Sequence, residues 1–183
     1  LERDFQNVSG GSGQEMLKAE GIFLVLGRDY EVGIEKLKTY VTSNGQDALA
    51  YYFLARATKE NESYTDCVRF SNFAQLNSAG PLKFRSLIMN YQCRVRANLG
   101  VDQAIKDFEE LVERFPETAS TREEYIRTLL DADRSQDAMK IAEKQVIERP
   151  NNIAFKILLG EVFEKRGQNN EALVMYNEAR KID

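Results

Sequence analysis

The chain has 183 residues, is 43% hydrophobic and 30% charged, and carries a formal net charge of −4 with no histidine and no tryptophan. Without histidine there is no His-based triad, no imidazole acid–base pair and none of the commonest metal ligand, and the acidic balance has the wrong sign for a nucleic-acid backbone binder. No run of 18 apolar residues occurs, so no membrane-spanning helix is expected.

In chain order, residues 1–8 (Leu-Glu-Arg-Asp-Phe-Gln-Asn-Val) are joined by Ser-Gly-Gly-Ser-Gly at 9–13 to everything that follows. Such a Gly/Ser run behaves as a flexible tether. Two readings stand for residues 1–8. One is an expression remnant. The other is a fused partner peptide, held at millimolar effective concentration and anchored through Phe5 and Val8 at i and i+3.

From residue 14 onward a small residue returns at a near-constant interval: Gly33, Cys67, Ala104, Ala138 and Ala172, at steps of 34, 37, 34 and 34. A second register, Gly21, Ala55, Gln92, Ile126 and Gly160, runs 12 residues ahead of it, and Pro116 and Pro150 lie 12 residues behind Ala104 and Ala138. A period of this size means that one supersecondary unit is being stacked. The copies span about 14–47, 48–81, 82–118, 119–152 and 153–183. The third carries the 37-residue step, which predicts a lengthened first helix or a longer join. The fourth has Ile126 at the small first-helix position and Asp131–Gln136 in place of a glycine turn, so its hairpin should open or shift. The fifth is the cleanest. Phe155, Leu158, Leu159, Val162 and Phe163 make one helical stripe, Gly167 caps it, and Ala172, Leu173, Met175, Tyr176 and Ala179 mark a second helix.

This unit resembles the tetratricopeptide repeat (TPR), on Leu159-Gly160, Phe163, Gly167, Glu171-Ala172-Leu173, Tyr176 and Ala179. The resemblance implies an all-α fold, a right-handed superhelical solenoid of antiparallel helix pairs over 14–183. It also implies that the first helix of each pair lines a concave protein-binding groove. The lining residues would be Lys18, Ile22 and Val25 in the first copy, and Leu49, Tyr52, Arg56 and Lys59 in the second. Met89, Cys93, Arg96, Glu123 and Arg127 would continue it. The carboxylate clamp some members use needs a lysine-asparagine pair, an asparagine and a lysine-arginine pair. This chain offers Lys18 with Ile22, then Arg56, then Met89 with Cys93, so only the first lysine matches. A groove of apolar residues and cations suits a short amphipathic segment with an apolar anchor and acids, a description that residues 1–8 loosely meet.

Catalytic chemistry finds no constellation: no catalytic residue, metal site or cofactor is expected. Cys67 and Cys93 lie 26 residues apart. Cys67 sits at the close-packing position, a structural thiol, and two cysteines give no sign of a disulfide framework, which fits a reducing compartment. Lys83, Arg85, Arg94 and Arg96 form a basic stretch before acidic residues 102–117, a charged helix face or a site for an acidic protein. The expected function is a non-catalytic adaptor or assembly module that captures a short partner segment, with residues 1–8 as a candidate. A dedicated chaperone for a secretion or surface-machinery subunit and a self-associating scaffold are the alternatives. Expected partners are proteins or peptides, with no nucleic acid and no membrane insertion; compartment stays open between cytoplasm, slightly favoured, and periplasm.

Overall fold

The computed structural model describes residues 13–116 and 118–182. The anchors Phe5 and Val8, and the tether up to Ser12, lie outside the described residues. Among the described residues there are ten α-helices and no strand: α1 (Gly13–Leu26), α2 (Tyr30–Ser43), α3 (Ala48–Glu60), α4 (Tyr64–Leu76), α5 (Gly80–Arg96), α6 (Val101–Arg114), α7 (Ala119–Asp131), α8 (Ser135–Glu148), α9 (Ile153–Lys165) and α10 (Asn169–Arg180). The long step of the third copy goes into its first helix: α5 has 17 residues, whereas α3, α7 and α9 have 13 each.

One turn recurs five times. The chain leaves α1, α3, α5, α7 and α9 through a residue of positive φ: Arg28 (69°), Glu62 (56°), Asn98 (55°), Asp133 (57°) and Gly167 (74°). In each case the next amide reaches back to a carbonyl five residues earlier: Asp29 to Leu24 at 2.9 Å, Ser63 to Thr58, Leu99 to Arg94 and Arg134 to Leu129 at 2.8 Å, and Gln168 to Phe163 at 2.9 Å. The turn residue's own amide bonds three residues back, which completes a Schellman cap. Glycine therefore holds the left-handed position of this turn only after α9. The fourth copy, without a glycine, closes in the same way on Asp133. Two helix starts are fixed by side chains. Asp47 Oδ1 accepts the Leu49 and Ala50 amides, both at 3.0 Å, and Asn152 Oδ1 accepts the Phe155 amide at 3.2 Å.

By its internal contacts the chain divides into two compact units, one up to Cys93 and one from Arg94 on. In the first, α1 packs on α2, α3 packs on α4, and α3 also meets α1 and α2. Small residues set these approaches. A Cβ on Gly21 would stand 2.7 Å from Leu37 Cγ, and one on Gly33 would stand 2.8 Å from Val25 Cγ2. Val25, Leu37, Tyr40, Leu54 and Phe70 fill the core, and Tyr51 stacks on Phe73 with ring centroids 5.0 Å apart.

This unit corrects the reading of the cysteines. Cys67 and Cys93 are joined in a disulfide, with Cα atoms 6.0 Å apart and neither residue exposed. Cys67 does occupy the close-packing position of α4, but as half of a cross-link to α5 and not as a free thiol. The periodic alignment placed Cys93 toward a groove; in the fold its side chain points to Cys67. Argument for a reducing compartment from unpaired cysteines loses its premise, because disulfides persist where the surroundings are oxidising.

In the second unit α9 packs on α10, α8 and α7, and α7 on α6 and α8. A Cβ on Gly160 would come within 2.3 Å of Tyr176 Cε1, so only glycine admits that ring. At the matching place in the fourth copy stands Ile126, fully buried, and α7 meets α8 more loosely than α9 meets α10.

Candidate functional site

The expected groove positions fall on α1, α3 and α5 in the first unit and on α5 and α7 in the second. Three are core residues. Val25, Met89 and Cys93 are buried in the cluster that holds the first unit together, so the structure removes them from a ligand-facing surface. Helical periodicity put them on the groove side, but α1, α3 and α5 also use that side to pack on neighbouring helices. Ile22 is half-buried, packed against the same cluster. Glu123 is half-buried on α7.

Most of the expected groove cations are already engaged. Lys18 Nζ donates to Asp47 Oδ2 at 3.1 Å and pairs with Glu15 at 2.9 Å. Lys59 Nζ donates to Gln92 Oε1 at 2.8 Å. Arg96 is bidentate to Asp131, with Nε at 2.8 Å and Nη2 at 2.9 Å. Arg127 Nη1 bonds both carboxylate oxygens of Glu161, at 3.1 and 2.8 Å. Apart from the Lys18–Glu15 pair, which lies within α1, each bond runs from the first helix of one copy to the first helix, or its N-cap, in the next. The basic stretch is drawn in likewise, since Arg94 pairs with Asp107 at 3.2 Å. These ties were legible in principle: Glu161 stands 34 residues after Arg127, one repeat on, with the opposite charge.

Asp47 is the centre of the first tie. Besides capping α3 it accepts the Tyr40 hydroxyl at 2.8 Å. Burial works against its ionisation, but the Ala50 amide, the Tyr40 hydroxyl and the Lys18 ammonium outweigh burial and hold the carboxyl below its ordinary range. The hydrogen bond with Glu15, opposed by burial and aided by Asp47, holds Lys18 charged to higher pH than a free lysine.

What remains on the first unit is one stripe of α3. Leu49, Tyr52 and Arg56 recur at i, i+3 and i+7 and so share a face. Leu49 is 41% exposed, while Tyr52 and Arg56 are half-buried. Tyr52 is braced edge-on by Phe53, ring centroids 5.6 Å apart. Among the described residues Arg56 makes no hydrogen bond or ion pair, the one expected groove cation of which this is true.

No protein-family model matches the chain, and no curated protein does. Solved structures do. MamA residues 41 to the end, from Desulfovibrio magneticus RS-1, superposes with a TM-score of 0.68 at 13% identity, covering 95% of this chain and 97% of that one. MamA from AMB-1 gives a TM-score of 0.60 at 16% identity, over 92% and 90%. YrrB, described as a TPR protein with an unusual peptide-binding site, gives 0.59 at 14% identity, over 91% and 84%. At such identities the likeness is one of fold, and it agrees with the helix pairs and recurrent turns above. The chain carries the tetratricopeptide-repeat fold.

Proposed function

We propose that the chain is a protein-interaction module and that the exposed stripe of α3 captures a short partner segment. The observation that carries this reading is the unpaired Arg56 beside Leu49 and Tyr52. A guanidinium left without an internal carboxylate, in a molecule that satisfies the cations around it, is available to an acid from outside. The aliphatic and aromatic side chains next to it give an apolar anchor somewhere to be buried. The segment that fits is short and acidic, with one or two apolar anchors. Peptide recognition in YrrB supports the general mode, since both have the same fold. No catalytic step belongs to this reading: binding energy comes from burying the anchor, while the cation orients the ligand and speeds its capture.

Residues 1–8 have the required composition, with Glu2 and Asp4 beside Phe5 and Val8. The test titrates a fluorescent peptide of residues 1–8 into the chain trimmed to 13–183, followed by anisotropy, with Phe5→Ala as the control peptide. Saturable binding that weakens about tenfold with the control, about 1.4 kcal/mol, is the expected result. No saturation, together with unchanged thermal stability on trimming, would leave residues 1–8 a mere appendage.

A further inference from the structure

Polar contacts hold the first turn of α1 beside the first turn of α3. Asn44, the residue that closes α2, donates through Nδ2 to Gln14 Oε1 at 3.5 Å, and the Tyr40 hydroxyl reaches Glu15 Oε1 at 3.4 Å. Lys18, one turn further along α1, donates to Asp47 Oδ2, while Asp47 Oδ1 caps α3 at the Leu49 and Ala50 amides. The chain that precedes Gly13 therefore joins the first unit at the Leu49 end of the α3 stripe and not at the Arg56 end.

Length and order of residues fit that place. Val8 stands five residues before Gly13, a reach of at most about 17 Å. Helices that pack as α1 does on α3 have axes about 8–10 Å apart. Along the stripe, Leu49 to Arg56 is seven residues of helix, about 10 Å. Asp4 precedes Val8 by four residues, up to about 14 Å of extended chain. With Val8 at Leu49, Phe5 has Tyr52 within reach and Asp4 has Arg56, the guanidinium to which no described residue supplies an acid. The reverse order would bring Glu2 and Asp4 to the carboxylates of Glu15 and Asp47 and leave Arg56 beside Val8.

We infer that residues 1–8 occupy the α3 stripe of their own molecule, in that order, so that the intact chain carries its capture site filled. The inference rests on the capture reading above and adds to it the register and the regulation: an outside segment enters by displacing the one in cis. Apparent affinity for such a segment falls by the ratio of the joined segment's effective concentration, of millimolar order for so short a joint, to the dissociation constant of the free peptide.

The test compares the full chain with its Phe5→Ala/Asp4→Lys variant, using the fluorescent peptide of residues 1–8 and anisotropy. The variant, with its own segment disabled, should bind the peptide at least about tenfold more tightly than the unsubstituted chain. Equal affinity for both overturns self-occupancy and leaves the capture reading standing, whereas a peptide that binds neither chain overturns both. A photo-crosslinker, p-benzoylphenylalanine in place of Phe5, then reads the register. It should join residues 49–56 within a monomer-sized band at every concentration. Arg56→Glu should abolish that link, and Asp4→Lys in the same chain should restore it. A dimer-sized band that grows with concentration, or loss without restoration, overturns the inference.

Discussion

The two units solve the same problem, joining helices into stacked pairs, with different chemistry. The first has a covalent bond and aromatic packing, the Cys67–Cys93 disulfide and the Tyr51–Phe73 stack, beside polar ties at Asp47, from Lys59 to Gln92 and from Lys38 to Asp66. The second has no cysteine and carries a ladder of ion pairs between copies. Arg96–Asp131, Arg127–Glu161, Arg134–Asp102 and Lys165–Asp133 all bridge neighbouring copies, and the nearly buried Lys156 reaches Glu178 at 2.5 Å. The lesson is about where specificity resides. A repeat fixes backbone shape through small residues and capped turns, and leaves the side chains between copies free to differ.

The largest way to separate the units is to remove the cross-link. A Cys67→Ala/Cys93→Ala chain keeps the small residue that other copies carry at the first position and should lose about 3 kcal/mol. Hydrogen exchange should place the loss in α3, α4 and the start of α5, with amides beyond Arg94 unaffected. Equal losses in both units would end the contrast.

Gly160→Ala probes the second unit. Its added methyl meets the Tyr176 ring, so urea unfolding should show a loss of about 1–3 kcal/mol. A silent substitution would mean that the ring swings aside at no cost. In the opposite direction, Glu62→Gly should stabilise the first unit by about 1 kcal/mol, because a side chain at positive φ is strained and glycine is not. Asp133→Gly should gain less, aspartate being more at ease in that conformation.

Acid should act on the first unit through Asp47. Its folded pKa lies below the unfolded value, so its contribution is complete above an ordinary carboxylate pKa of about 4 and is lost as pH falls through the depressed folded value. Asp47→Asn should remove that slope from a pH series of melting temperatures; an unchanged slope would exclude Asp47 as its source. The smallest effect belongs to the exposed ladder. Arg127→Ala should cost less than about 0.5 kcal/mol and only at low salt, because the pair is largely solvated. A salt-independent loss well above that would show the ladder to be a true structural tie.

The helix pairs were legible because their determinants are local and periodic: Gly33, Ala104, Ala138 and Ala172 mark close approaches, and Pro116 and Pro150 mark exits. The turns were half legible. Gly167 announces one, but Arg28 and Glu62 adopt the same left-handed conformation with no compositional sign, since the hydrogen bonds around them impose it. The site was least legible. Periodicity says which face a residue is on and not whether another helix already covers it, so Val25, Met89 and Cys93 looked like groove residues and are core. Nor does a single helix reveal that Lys18, Lys59, Arg96 and Arg127 have partners in the next copy. The disulfide was missed because its halves lie on different helix pairs, 26 residues apart.

The most direct measurement is the affinity of the peptide of residues 1–8 for Arg56→Glu and for Arg127→Glu, each trimmed to 13–183. Arg56→Glu should weaken binding tenfold or more, and Arg127→Glu, whose cation is already bound to Glu161, should leave it unchanged. Equal effects of the two substitutions, or full affinity in Arg56→Glu, would contradict the assignment of the α3 stripe as the capture site.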